Sequence, residues 1–245
     1  MRTTRKKLIF GFRALGLVLV LMISGCTKDD DNNNNNNLSD QNDVDGNVYI
    51  TITIGTQTWF KENLKTTKLN DGTVIPLTTE NAAWNSLNSP GYCWYANDVN
   101  NKSSYGALYN WHAVNTGKLC PGGWHVASDN DWKKLEMQLG MSQSVADQDG
   151  FRGTNEGGKL KETGTVHWNS PNDGATNSSS FTALPGGCRY ANGSWGVKGL
   201  QGFWWTSTEF GPWDSWLRHL VGNGTDISRT TFPKNSGLSV RCVKD

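Results

Sequence analysis

Cys120-Pro121-Gly122-Gly123-Trp124-His125-Val126-Ala127-Ser128-Asp129-Asn130-Asp131-Trp132 sets the frame for the rest of the chain. Trp124-His125 falls in a predicted strand, where a hydrogen-bonded structural histidine is expected. Ser128 then supplies a helix N-cap with Asp131 three residues on, and Trp132, Leu135 and Leu139 form the apolar face of a helix that Gly140 can close. Asp129, Asp131 and Glu136 on this helix fit the favourable field that a helix start offers to acids. Upstream, Ala107, Leu108, Trp111 and Val114 share one helical stripe in Tyr105–Gly117, a second predicted helix. Further upstream, Val48, Ile50, Ile52 and Ile54 alternate with Tyr49, Thr51 and Thr53, the period of a half-buried strand. Downstream the pattern is short strands and long polar loops: Phe181–Leu184, Phe203–Ser207, Trp216–Val221 and a closing strand Leu238–Val243. Two helices with short, mostly antiparallel strands and long loops make an α+β domain.

Composition agrees. The 245-residue chain is polar, with a mean hydropathy of −0.57, and carries 28 glycines and 12 tryptophans but only 18% charged residues. That excludes a coiled coil, a polytopic membrane protein and a strongly basic nucleic-acid binder.

The N-terminus reads as an address. Arg2, Arg5, Lys6 and Lys7 precede an apolar run, Ala14–Ile23, too short to span a hydrocarbon core that needs roughly 20 residues. The run ends in Ile23-Ser24-Gly25-Cys26, which resembles a bacterial lipobox. Residues 1–25 are therefore expected to be a lipoprotein signal peptide and Cys26 the lipidation site, its acyl chains (palmitate among them) giving the stable anchoring that a single chain does not. Loss of 1–25 removes Arg2, Arg5, Lys6, Lys7 and Arg13, leaving 18 basic against 22 acidic residues, a net −4. An acidic exported chain has no electrostatic case for nucleic acid or anionic lipid, so its membrane contact is expected through the anchor alone. Residues 26–45, with Lys28-Asp29-Asp30-Asp31 and Asn32–Asn37, read as a disordered Asp/Asn-rich tether. The Lys-Asp-Asp-Asp run beside the cysteine resembles the export signal of surface-exposed lipoproteins; the protein is therefore expected at the bacterial outer membrane, on the cell surface, the alternative being a plain solvated tether on a periplasm-facing anchor. Residues 46–245 are expected to form one domain.

Cys93, Cys120, Cys188 and Cys242 remain after Cys26, an even number in an exported chain. They allow three connectivities, of which Cys120–Cys242 is preferred because it ties the strand before the second helix to the last strand. Neither their spacing nor the scattered His112, His125, His167 and His219 suggests zinc.

A specific resemblance now emerges. Asp45-Gly46-Asn47-Val48-Tyr49, Ile54-Gly55-Thr56-Gln57-Thr58-Trp59 and Glu62-Asn63-Leu64 open the domain. Tyr105-Gly106-Ala107-Leu108-Tyr109-Asn110-Trp111, the Cys120–Trp132 stretch, Ala183-Leu184-Pro185-Gly186-Gly187, Trp205-Thr206-Ser207-Thr208-Glu209 and Ser239-Val240-Arg241-Cys242 follow in order. Together they resemble the Fibrobacter succinogenes major paralogous domain, a family of secreted and lipoprotein bacterial domains. The family is itself similar to the C-type-lectin-like fold, including the branch with formylglycine-generating enzymes. The resemblance implies paired N- and C-terminal strands and an irregular ligand-facing half. Cys188 departs from it, since relatives commonly carry an aromatic or other residue there, so the pairing of Cys93 with Cys188 stays open. Fold does not carry function.

No Gly-x-Ser-x-Gly, His-Glu-x-x-His, Walker loop or Ser-x-x-Lys occurs, and the reactive cysteines of the formylglycine branch have no match. An enzyme is not expected. A binding face is expected instead within 210–234, where Phe210, Trp213, Asp214, Trp216, Arg218, Asn223, Asp226 and Arg229 interleave. Tryptophan and arginine give large contact area and directional hydrogen bonds. Trp59, Trp111, Trp124, Trp132, Trp204 and Trp205 are assigned to the core. The expected partner is an extracellular glycan or protein; the alternatives are a structural subunit of a cell-surface assembly, or a variable binding protein of a diversity-generating retroelement, which this region also resembles. The Glu-Pro-Asn, Gln-Pro-Asp and Trp-Asn-Asp tripeptides of calcium-dependent sugar binding are missing. Asp- and Asn-rich loops still leave room for a structural calcium, and no other cofactor is expected.

Overall fold

The structure, a computed structural model, describes residues 40–245. The signal peptide, Cys26 and most of the tether lie outside the described residues. In chain order the strands are β1 (Asp40–Asn42), β2 (Val48–Ile54), β3 (Gln57–Phe60), β4 (Tyr92–Cys93), β5 (Leu108–Tyr109), β6 (Trp124–Val126) and β7 (Gly150–Arg152). They continue as β8 (Cys188–Arg189), β9 (Trp195–Gly196), β10 (Gln201–Glu209), β11 (Asp214–Val221), β12 (Ile227–Pro233) and β13 (Cys242–Lys244). The helices are α1 (Asn81–Asn85), α2 (Lys102–Tyr105), α3 (Trp111–Val114), α4 (Asp129–Gln138), α5 (Gln143–Ala146) and α6 (Glu156–Leu160). All named strand pairs are antiparallel. The domain is α+β, and no helix among the described residues is long and apolar enough to cross a membrane.

A five-stranded sheet in the order β1-β2-β3-β13-β6 joins the two ends of the domain, with Val243 opposite Trp59. Alternate residues of a strand point to opposite faces, and Trp59 and Phe60 accordingly enter different apolar clusters. The six tryptophans assigned to the core are all buried. A second sheet, β10-β11-β12-β7, stands beside it, and Cys120–Cys242 is a disulfide as preferred.

Helix α4 follows its sequence signals. Ser128 Oγ accepts the Asp131 amide at 3.1 Å and the Asp131 carboxylate accepts the Ser128 amide at 2.9 Å, the reciprocal bonds of a capping box. Trp132 and Leu135 are buried and Gly140 takes a positive φ of 119°.

Several expectations need correction. Residues 40–45, expected to belong to the tether, are part of the fold: β1 pairs with β2, and the buried Asp43 carboxylate organises the intervening turn, accepting the amides of Asp45 and Asn47. The Asp43 carboxylate also accepts the Tyr49 hydroxyl at 2.6 Å, which turns Tyr49 inward and leaves Val48 exposed, against the simple alternation. The helix expected over Tyr105–Gly117 shrinks to α3. Gly106 sits at φ 73° against the Leu64 carbonyl, where a Cβ would come within 2.6 Å, and Asn110 caps a new start by accepting the Ala113 amide. Phe181–Leu184 makes only a single bridge, Ala183 to Lys161. The closing strand narrows to β13, while Leu238 and Ser239 bridge to Tyr109 and Trp204. Cys93 and Cys188 form no second bridge. They are free thiols in different apolar clusters, and burial pushes each up to about 12.

Candidate ligand-binding site

The eight residues expected on one face fall into three places along the β10–β11–β12 meander. β11 runs from Asp214 to Val221, and at about 3.3 Å per residue its two ends lie far apart. Phe210, Trp213, Asp214 and Trp216 are at one end. Asn223 and Asp226 are in the turn at the other. Arg218 and Arg229 lie between, buried.

Trp204, Arg218 and Arg229 share one register row across the three strands. That row faces α4, and the two guanidinium groups meet its acids. Arg218 donates to Glu136 at 2.6 Å and to Asp129 at 2.7 Å; Arg229 donates to both oxygens of Asp129 at 2.9 and 3.0 Å and also pairs with Asp149. Arg152 completes the set with a 2.5 Å bond to Glu136. Burial alone would raise the Asp129 carboxyl, but Arg229 and Arg218 together hold it well below the usual carboxylate range. Arg218 and Arg229 are therefore not available to a ligand. Asp129 and Glu136 are partners in this network, beyond any service to the helix field.

The tip is different. Phe210 is 57% exposed and Trp213 79% exposed. Trp216 is half-buried: Arg229 lies 3.6 Å above its ring and Phe210 stands edge-on at 4.9 Å, so it supports the tip more than it displays a face. Asp214 serves through its backbone, its carbonyl accepting the amides of Phe210 and Gly211. The turn is pinned from outside by Lys234. Its amide donates to the Trp213 carbonyl at 2.9 Å, and its ammonium donates to the Pro212 carbonyl at 3.1 Å, pairs with Glu209 and lies over the Trp111 ring.

Beside Trp213 lies a groove of about 320 Å³ lined by Pro212, His112, Asn85, Asn88, Asn235 and Lys234 among others. Burial and the Lys234 charge both push His112 down, so the imidazole is neutral at physiological pH, and Glu209 balances Lys234. The groove walls come from the loop after α1, from α3 and from the end of β12. Sequence reasoning missed Asn85, Asn88, His112 and Asn235. Polar loop residues carry no local mark of being adjacent in space.

At the far turn, Lys161 is fully buried. Its ammonium donates to the carbonyls of Gly224 (2.8 Å), Asp173 (2.9 Å), Val221 (3.1 Å) and Gly222 (3.3 Å). Four inward carbonyls around one positive charge are what a bound metal cation would receive. Here a side chain supplies the charge and ties residues 171–174 to 221–226. Among the described residues no three His, Cys, Asp or Glu side chains converge as a metal site.

His125 is hydrogen-bonded on both nitrogens, to Asp245 at 2.7 Å and Asp131 at 3.0 Å. Ser128 Oγ donates to the same Asp131 oxygen at 2.6 Å and not to the imidazole, so this trio presents no activated hydroxyl. The bonds to Asp131 and Asp245 raise the imidazole above its ordinary value, and His125 together with Ser128 brings Asp131, against its burial, down to about 2.

No curated protein and no solved structure matches the chain. The model of the Fibrobacter succinogenes major domain matches residues 52–244, from the middle of β2 to the end of β13. That span takes in the joined termini, the capped α4 and the β10–β12 meander, and the chain belongs to the Fibrobacter succinogenes major domain family.

Proposed function

We propose that this is a lipid-anchored protein of the bacterial outer membrane, exposed at the cell surface, whose C-type-lectin-like domain binds an extracellular glycan or protein without catalysis. The observation that carries the reading is Trp213, 79% exposed on a turn that is fixed by backbone and ion-pair contacts. A large apolar ring held in water costs little conformational entropy on binding and marks a contact site. The lectin-like comparison is supported by the pairing of N- and C-terminal strands and by the long loops of the meander half. A face diversified over 210–234 would have to spare Leu217, Arg218 and Arg229, which are interior.

The test is binding of the mature chain to glycan and host-protein arrays beside a Trp213→Ala variant with an unchanged melting temperature, each with and without EDTA. Binding lost in the variant and indifferent to EDTA is expected. Binding that survives Trp213→Ala removes the site from this tip. Absence of any binding, with a stable self-association that Trp213→Ala disrupts, favours the assembly subunit. For the address, Cys26→Ser is expected to abolish labelling by a fatty-acid analogue, and protease added to intact cells is expected to cleave the wild type.

A further inference from the structure

A second depression, of about 460 Å³, lies on the other side of Pro233, lined by Tyr190, Ala191, Asn192, Phe232 and Ser236. Pro233 lines both depressions. Asn235 joins their walls, its amide donating to the Asn85 carbonyl at 3.0 Å and reaching the Ala191 carbonyl at 3.5 Å. Tyr190 is itself exposed and its ring lies 6.5 Å from Phe232. Two aromatic stations, Trp213 and Tyr190, thus stand on either side of one proline ridge, with amide side chains along the way.

We infer that the two depressions form one extended surface and that its occupant is an uncharged oligosaccharide or polysaccharide chain laid across Pro233. This rests on the reading of the Trp213 tip as a binding site. The chemistry of the lining selects the class. A pyranose offers an apolar face of C–H groups to an aromatic ring and a rim of hydroxyls that both donate and accept. Asparagine side chains do both as well: Asn85 and Asn88 line the first depression, Asn192 brings its amide hydrogens beside an oxygen that holds Ser194, and Asn235 brings its side-chain oxygen. Neither depression is lined by an aspartate or glutamate, and the cation present, Lys234, is already matched by Glu209. A phosphate-, sulfate- or carboxylate-bearing ligand finds no free counter-charge there. An extended peptide finds only a poor edge there: β7 covers β12 over Ile227–Arg229, and the short stretch of β12 left uncovered beside the depressions ends in Pro233, which has no amide to give. Each depression lies toward the small end of the roughly 300–1,000 Å³ usual for small-ligand sites, so a chain gains by reaching both.

The experiment is titration calorimetry of the mature chain with cello-, manno- and malto-oligosaccharides from disaccharide to hexasaccharide. In one of these series affinity is expected to rise at least about tenfold with length and then level off, as a second station adds its own contacts. Trp213→Ala is expected to abolish binding at every length. Tyr190→Ala, and independently Ala191→Trp, which fills the second depression, are expected to bring the hexasaccharide down to the disaccharide's affinity and leave the disaccharide unchanged. Affinity that is flat with length, or unaffected by both of these variants in folded protein, overturns the extended surface while the Trp213 reading stands. A protein ligand that depends on Trp213, with no oligosaccharide bound, overturns the carbohydrate assignment alone. Absence of any Trp213-dependent binding overturns both.

Discussion

The middle of β11 and its tip are built from the same residue types and put them to opposite uses. In the middle, Arg218 faces Asp129 and Glu136 with no exposure at all, and Arg229 joins it across the ladder. At the tip, Phe210 and Trp213 stand in water with an amide-lined groove beside them. The register row Trp204–Arg218–Arg229 places two cations against a helix that happens to carry acids at matching positions. Past Trp216 the ladder runs out through Ser215 and Asp214 into the turn, where Phe210 and Trp213 project from the strand ends and the same aromatic chemistry is displayed. Aromatic and arginine residues interleaved in a loop-rich segment signal either wiring or display, and only the cross-strand partners decide which.

The comparison is broken most forcefully from the interior. Arg218→Met is expected to cost about 3–5 kcal/mol, because it leaves two buried carboxylates short of a partner; urea melts measure this, and a loss below about 1 kcal/mol would place the network with ordinary surface ion pairs. Lys161→Met keeps the side-chain volume but takes the ammonium away from four carbonyls, of which that of Gly222 keeps the Asp173 amide, and about 3 kcal/mol is expected in the same assay. Trp213→Ala sharpens the contrast from the other side. Its stability is expected to stay within about 0.5 kcal/mol of wild type, while ligand affinity falls at least about tenfold.

The smallest effect is a pH dependence in which two histidines pull in opposite directions. His125 has a raised value in the fold, chiefly through Asp131, so its stabilisation is complete below the unfolded value of about 6.5 and is lost as pH rises through the folded one. The stability gap between wild type and His125→Gln should therefore be widest in mild acid and close on the alkaline side. His219 is stacked on Phe203 at 4.3 Å, and burial brings it down to about 4. Between about 6.5 and that value the unfolded chain takes up a proton that the fold refuses, so wild type should lose stability as pH falls through this window, and His219→Phe should not. Thermal melts from mild acid to mild alkali separate the two, and a His125 gap that widened with pH would overturn the assignment.

Much of the frame was legible. α4 carried its cap, its apolar face and its stop within one short segment, and Cys120–Cys242 was the preferred one of three connectivities because it ties the strand before α4 to the last strand. Local signals suffice where the physics is local. The helix expected at Tyr105–Gly117 misled because a stripe of apolar residues was shared between a strand and a one-turn helix, with Asn110 acting as the divider. β12 passed unnoticed because Ser228-Arg229-Thr230-Thr231 shows no apolar alternation; its inward residue is an arginine whose partner, Asp129, lies 100 positions away. The groove was out of reach for the same reason. Asn85, His112 and Asn235 meet only after the whole chain has folded.

The carbonyl cage around Lys161 has a consequence in mass action. A dissociable ion stabilises a fold by an amount that depends on its free concentration relative to its dissociation constant. A cation carried on the polypeptide has no such term for a metal, because it is present at one equivalent in every molecule and cannot be diluted, exchanged or chelated; its one dependence is on protons, since burial brings the Lys161 ammonium down to about 8. The turns at 171–174 and 221–226 therefore have the same occupancy of their central charge in an ion-poor medium as in an ion-rich one. What other domains draw from their surroundings as a bound ion, this one inherits with its sequence.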